Sequence, residues 1–232
     1  MQNICLIIGA GAGIGGNVAK VFANDGYHVY LTRRSDENGL KKLIDQINTV
    51  GGKASGKLLN AVQDNTIEDL VHHVERDIGP INVVIYNLGA QIGNKKLEDL
   101  TLKQFDLGFK MGSLGIFRLC KTLFPYMVRR GGGTLIATSS TASVRGNRGQ
   151  HSHAAAMGAR RMLCQTLNDE FSIKGIHIVH AIIDGAVDAP DTLGKMLGPE
   201  AYDKLRKEVG LEKDGLILPE KIAESYLYLT KQ

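Results

Sequence analysis

The chain has 232 residues, 43% of them hydrophobic, and its 28 basic and 24 acidic side chains give a formal net charge of +4. That is enough apolar material for a sizeable core, and the economical reading is one domain spanning 1–232. The mild basic excess is spread along the chain, which suits an anionic cofactor and gives little support for a nucleic-acid partner. No uninterrupted apolar run approaches membrane-spanning length, so no membrane partner is expected. Cys5, Cys120 and Cys164 each sit in an apolar pattern without metal-ligand spacing. No metal site is expected, and an odd number of buried thiols suits a reducing compartment. The first residues run straight into a strand, with no signal-peptide pattern, so a soluble cytoplasmic protein is expected.

Ile4-Cys5-Leu6-Ile7-Ile8 is an apolar run of strand length. Gly9-Ala10-Gly11-Ala12-Gly13-Ile14-Gly15 follows at once, and residues 17–24 then carry Val18, Val21 and Phe22 at helical spacing. Strand, glycine turn and helix are what a nucleotide phosphate requires: a tight turn, close backbone approach, and a helix N-terminus aimed at the anion. Gly9, Gly11, Ala12, Gly13, Ile14 and Gly15 are therefore candidate cofactor-binding residues. A second strand at 27–32 ends at Arg33-Arg34-Ser35. In a dinucleotide fold this strand end lies beside the adenosine ribose, where an acid would bind the free hydroxyls of NAD and a guanidinium fork suits the extra phosphate of NADP. Arg33 stands at that place and no acid follows until Asp36, so NADP is expected, with NAD the alternative. The competing reading of Arg33 and Arg34 is a solvated surface pair.

A helix at 38–50, a strand at 53–60, a helix at 64–78 and a buried strand at 81–87 continue the alternation. Right-handed crossovers make this one parallel sheet with helices on both faces. The stretch 101–130 reads as one long helix with more apolar surface than a single face can place on a sheet, and the surplus suits core or subunit interface. A fifth strand at 134–139, a polar loop, a helix at 151–174, a sixth strand at Ile176–Ile183 and helices near 200–209 and at Pro219–Leu229 complete the chain. The fold expected is α/β, a doubly wound parallel sheet of six strands in the order 3-2-1-4-5-6.

These residues resemble the short-chain dehydrogenases/reductases over essentially the whole chain. Gly9, Gly13 and Gly15 match that family's Gly-x-x-x-Gly-x-Gly turn, and Tyr86-Asn87-Leu88-Gly89 resembles its Asn-Asn-Ala-Gly strand end. Gly79-Pro80-Ile81-Asn82 is similar to its Gly-Pro-Ile-Asp, Asn60-Ala61 falls where it has Asp-Val beside the adenine, and Asp184-Gly185 falls where it has Pro-Gly. The resemblance implies a Rossmann fold and adds Asn60, Ala61, Asn87, Gly89 and Gly185 as cofactor contacts. It further implies hydride transfer between nicotinamide and a small carbonyl or alcohol, with a Ser, a Tyr and a Lys, supported by an Asn on the preceding long helix.

Carried onto this chain, the Ser position is Ser140, the Tyr position is His153, the Lys position is Met157 and the helix Asn is Gly112. No Tyr lies between Tyr126 and Tyr202, so sliding the register does not restore the pattern. The segments 7–11, 32–34, 141–146 and 182–188 resemble a divergent branch whose members are oxidoreductases of undefined substrate, often without the Tyr and Asn. Ser140 as hydrogen-bond donor and His153 as proton donor are the catalytic candidates. Met157 keeps the place of a cofactor contact but supplies no charge. Arg160, two helical turns after His153, either returns a positive charge near the ribose or forms a surface pair with Arg161.

Three functions compete: an NADP(H)-dependent carbonyl reductase or alcohol dehydrogenase, an NADP(H)-binding sensor without turnover, and a structural subunit paired with an active relative. Residues 188–199 are expected to form a lid over the cleft, with Ala90-Gln91-Ile92 as its other wall. A homodimer through helices 101–130 and 151–174 is expected. The family's seventh strand has no counterpart before Gln232, by nature or by truncation.

Overall fold

The computed structural model describes residues 3–89, 93–209 and 215–232. Six strands, β1 (Ile4–Ile8), β2 (His28–Arg33), β3 (Lys53–Leu58), β4 (Ile81–Tyr86), β5 (Gly133–Ser140) and β6 (Ile176–Ile183), form one sheet in the order β3-β2-β1-β4-β5-β6. Every pairing is parallel. The order and the strand count are those expected from the sequence.

The sheet's two faces follow from the period of two along each strand. Leu6, Ile8, Val84, Tyr86 and Leu135 face one side, where α3 (Thr66–His73), α5 (Gly115–Arg129) and α6 (His151–Phe171) cover them. Cys5, Ile7, Val29, Leu31 and Ile85 face the other, under α1 (Ile14–Asn24), α2 (Glu37–Thr49) and α9 (Pro219–Leu229). Cys120 and Cys164 belong to the first core and Cys5 to the second, and all three thiols are free and buried. With both faces covered, the central strands read as unbroken apolar runs. Among the described residues no helix is long and apolar enough to cross a membrane.

The helical stretch expected over 101–130 is helical from Leu102 to Arg129, with one irregular turn inside it. Thr101 and Gln104 form a reciprocal cap that starts α4 (Leu102–Phe109). The backbone then widens into a π turn at Lys110–Leu114 before α5 begins. The cause lies outside the helix. The Tyr86 hydroxyl donates to the Met111 carbonyl at 2.7 Å, and Arg160 Nε donates to the Gly112 carbonyl at 2.6 Å. Those carbonyls are drawn toward side chains, and the turn opens around them.

At the other end of the sheet, Glu75 receives both Nη groups of Arg130 at 2.9 and 3.0 Å and the Ile81 amide at 3.0 Å. This fork fixes the start of β4 against the end of α5. After β6, α7 (Lys195–Leu197) and α8 (Pro199–Val209) carry the chain across the upper edge before α9.

Candidate functional site

The strand order reverses direction between β1 and β4, and the crevice above their C-terminal ends is where an open parallel sheet can seat a ligand. The glycine turn leaves β1 on one side of it, and Asn87 to Gly89 leave β4 on the other. Asn87 Nδ2 donates to the Gly9 carbonyl at 2.9 Å, and the Asn87 amide donates to the Ile8 carbonyl at 2.9 Å. The two strand ends are thereby tied together.

Gly9 has φ +99°, and a β-carbon there would stand 3.0 Å from the Asn87 carbonyl oxygen. A β-carbon at Gly15 would collide with the Gly9 carbonyl oxygen and with Ala10. These two positions require glycine, whereas a β-carbon at Gly11 would meet nothing within 4 Å among the described residues. No side chain caps α1 at Gly13. The first turn of α1, which includes Ile14 and Gly15 and follows Ala12 and Gly13, thus offers backbone amides rather than a protein anion.

Gly9, Arg33, Arg34, Asn60 and Ala61 line one cleft of about 220 Å³, with Leu88 on its inner wall. Five of the residues expected at a cofactor site therefore meet in one place. Arg118 braces that wall from α5: it pairs with Glu68 at 2.6 Å and donates to the carbonyls of Ala61 and Gln63. Arg33 is not a loose surface side chain. Its Nε donates to the Ala10 carbonyl at 2.7 Å, and its Nη1 meets Asp36 at 2.5 Å. Asp36 also accepts from the Gly39 amide and so caps α2. A side chain at residue 39 would collide with both Asp36 and Arg33. Arg34 is exposed.

At the end of β5, Ser140 Oγ lies 3.0 Å from His153 Nε2 on α6. Ser143 Oγ steadies this corner by donating to the Ser140 carbonyl at 2.8 Å. His153 is 7% exposed, and its Nδ1 has no hydrogen-bond partner among the described residues. Burial, and after it the charge of Arg160, holds the imidazole below the usual histidine range. It is therefore neutral at neutral pH. His151, two residues earlier, is exposed on another face. Met157 is buried beside Ala142 and Ala156, with its sulfur 3.7 Å from Ser139 Oγ.

Arg160 is fully buried, which rules out a surface pair with Arg161. Its Nε donates to Gly112, its Nη1 to Thr138, and its Nη2 to Leu88 at 2.8 Å and Met111 at 3.4 Å. All four acceptors are backbone carbonyls. The guanidinium also lies over the Tyr86 ring, 5.1 Å from its centroid. Sequence reasoning noticed Arg160 but not this setting, and it passed over Tyr86. One signal was present in Gly115, where a β-carbon would collide with the Tyr86 hydroxyl.

Gly185 has φ +147° and packs against Ile217. The following segment folds over the glycine turn: a β-carbon on Gly13 would stand 2.9 Å from that of Ala189, which is buried. Asp188 anchors α8 by accepting from the Tyr202 hydroxyl and pairing with Arg206 at 3.2 Å. The expected opposite wall, Ala90-Gln91-Ile92, lies outside the described residues.

A family model described as short chain dehydrogenase matches residues 3–196. The chain is 28% identical over 230 residues to 3-oxoacyl-[acyl-carrier-protein] reductase FabG from Thermotoga maritima, covering 97% of this chain and 89% of that one. A solved 7 alpha-hydroxysteroid dehydrogenase, complexed with NADH and 7-oxo glycochenodeoxycholic acid, superposes with a TM-score of 0.86 at 24% identity, over 98% of this chain and 87% of that one. A gluconate 5-dehydrogenase from Burkholderia cenocepacia J2315, in complex with NADP and tartrate, superposes with a TM-score of 0.83 at 20% identity, over 99% and 89%.

Proposed function

The chain belongs to the short-chain dehydrogenase family, and on that premise we propose that it is a nicotinamide-dependent oxidoreductase acting on a small carbonyl–alcohol pair, with NADP(H) as its cofactor. One observation carries the catalytic half of this reading: the 3.0 Å contact between Ser140 Oγ and His153 Nε2 at the mouth of the sheet crevice. The hydroxyl is placed to hold a substrate oxygen, and the imidazole is a titratable side chain in hydrogen-bond reach of that hydroxyl. A proton then moves between the substrate oxygen and Nε2.

The cofactor half rests on the cleft. The uncapped start of α1 and the glycines at 9, 11, 13 and 15 suit a pyrophosphate,. Asn60 and Ala61 suit the adenine side, with Asn87, Gly89, Met157 and Gly185 toward the nicotinamide end. When bound, the cofactor supplies the hydride or accepts it. Arg33 and Arg34 favour a 2′-phosphate, because Asp36 engages only one edge of the Arg33 fork and turns its other oxygen to α2,. NAD is the alternative. Met157 supplies no charge where the family has lysine, and this favours a second reading, cofactor binding without turnover.

Phe105, Phe109, Leu114 and Phe117 are 39–46% exposed along α4, the π turn and α5. This apolar surface supports a homodimer through residues 101–130 and 151–174.

The deciding experiment titrates the protein with NADPH and NADH by fluorescence, then assays a carbonyl and alcohol panel on wild type and His153→Ala. Full turnover by His153→Ala removes the imidazole from the chemistry. Binding of neither cofactor below millimolar concentration removes the cleft assignment.

A further inference from the structure

Among the described residues the charge of Arg160 has no carboxylate as a hydrogen-bond partner. The titratable groups facing it come from four elements: Tyr86 on β4, Tyr226 on α9, His180 on β6, and Cys164 with His153 on α6. Burial raises the Tyr86 phenol, lifts Tyr226 to about 12 and Cys164 to about 11, and pushes His180 down to about 4. All are neutral at neutral pH, so the guanidinium charge stays uncompensated in a fully buried place. Such a charge is costly unless its donors are satisfied. Here four carbonyls take four of its five N–H groups,. Those carbonyls belong to the segments that build the site: Leu88 beside Gly89, Met111 and Gly112 in the π turn, and Thr138 two residues before Ser140.

We propose that Arg160 is a positioning residue that clamps the floor of the crevice through these four carbonyls and directs a fixed positive charge along α6 at His153, so that the resting imidazole is a proton acceptor and the site favours alcohol oxidation at neutral pH. His153 and Arg160 are seven residues apart on one helix, about 10 Å along its axis. Behind the imidazole, Nδ1 meets no acceptor among the described residues that would stabilise a cation. In the oxidative direction the substrate O–H bond breaks and its proton passes to His153 Nε2. The C–H bond breaks and its hydride, with the electron pair, passes to the oxidised nicotinamide. The carbonyl forms, and the imidazolium returns its proton to solvent. Reduction requires an imidazolium first, and that form is scarce until the solution is acidic.

This inference rests on the Ser140–His153 reading, but its primary test does not need turnover. The His153 ring is titrated by NMR in wild type, Arg160→Lys and Arg160→Met, with His153→Ala assigning the resonance. The wild-type midpoint is expected below that of an ordinary histidine. Arg160→Met is expected to raise it and Arg160→Lys to hold it near wild type. A wild-type midpoint at or above the ordinary histidine value overturns the proposal even if Arg160→Met fails to fold. An unchanged midpoint in folded Arg160→Met overturns it as well. The pH profile of kcat/KM then tests direction: oxidation should plateau above the NMR midpoint, and reduction should rise below it. The opposite profiles would sink the directional claim. Absence of turnover in both directions with the NMR shifts intact would remove the reductase assignment and leave the electrostatic coupling standing.

Discussion

The carbonyl oxygen of Gly9 occupies the space into which a β-carbon on Gly15 would project. The start of α1 is thereby pressed onto the end of β1 with no room for any other residue. Gly15→Ala is expected to cost about 1–3 kcal/mol, as overpacking of a close contact does. Gly11→Ala, with nothing among the described residues within 4 Å of its new carbon, should stay within about 0.5 kcal/mol of wild type,. Urea denaturation of the two variants measures the contrast. Titration with NADPH adds a second one: Gly11→Ala should weaken binding while leaving stability intact, because its methyl enters the space assigned to the phosphates.

Cofactor choice is tested most cleanly at Arg34, since Arg33 also holds the Ala10 carbonyl and Asp36. Arg34→Ala is expected to weaken NADPH about tenfold to hundredfold, the range of a lost charge-assisted hydrogen bond. NADH should change by less than about threefold. Equal loss for both cofactors would place Arg34 away from the 2′-phosphate.

The strand, glycine turn and helix at the start of the chain are legible in the sequence because their determinants are local. An apolar strand followed at once by alternate glycines leaves few other structures, and each strand carries its own apolar pattern. The π turn at Lys110–Leu114 is not legible in the same way. Its cause is a pair of donors, on Tyr86 and Arg160, distant in sequence from the carbonyls they pull. The burial of Arg160 is hidden for a related reason. Its partners are backbone carbonyls, which leave no trace in residue identity. Asp36, the first acid after Arg33, engages that arginine and caps α2, and the absent side chain of Gly39 makes room for both.

Acid should weaken the fold through His180. The folded imidazole is pushed down to about 4, by burial first and then by Arg160 and Arg161, from an ordinary value of 6.5. As pH falls through 6.5 the unfolded chain takes up a proton that the folded chain refuses,. This contribution is therefore intact above 6.5 and is lost progressively toward about 4. His180→Leu should narrow the difference in Tm between about pH 7 and about pH 5, recovering on the order of 1 kcal/mol. A Tm difference unchanged by the substitution would show that other groups govern acid unfolding.

The proposed dimer depends on the exposed aromatic side chains of α4 and α5. Phe117→Glu places a charge where the side chain is 46% exposed in the single chain and would be desolvated between two,. Sedimentation equilibrium is expected to give a dimer for wild type and half that mass for the variant, with Tm unchanged at low concentration. A monomeric wild type would leave this face without a partner copy.

The three thiols provide a clock for how the molecule comes apart. Cys5 lies on β1 under α1, α2 and α9, whereas Cys120 on α5 and Cys164 on α6 are carried by the helices of the opposite layer and buried in its core. A thiol reagent added to the native protein can react only when the layer above a given cysteine lifts. Labelling followed by mass spectrometry would time the two sides separately. A single shared rate would mean that the helical layers detach together with the sheet, and two rates would identify which side peels first.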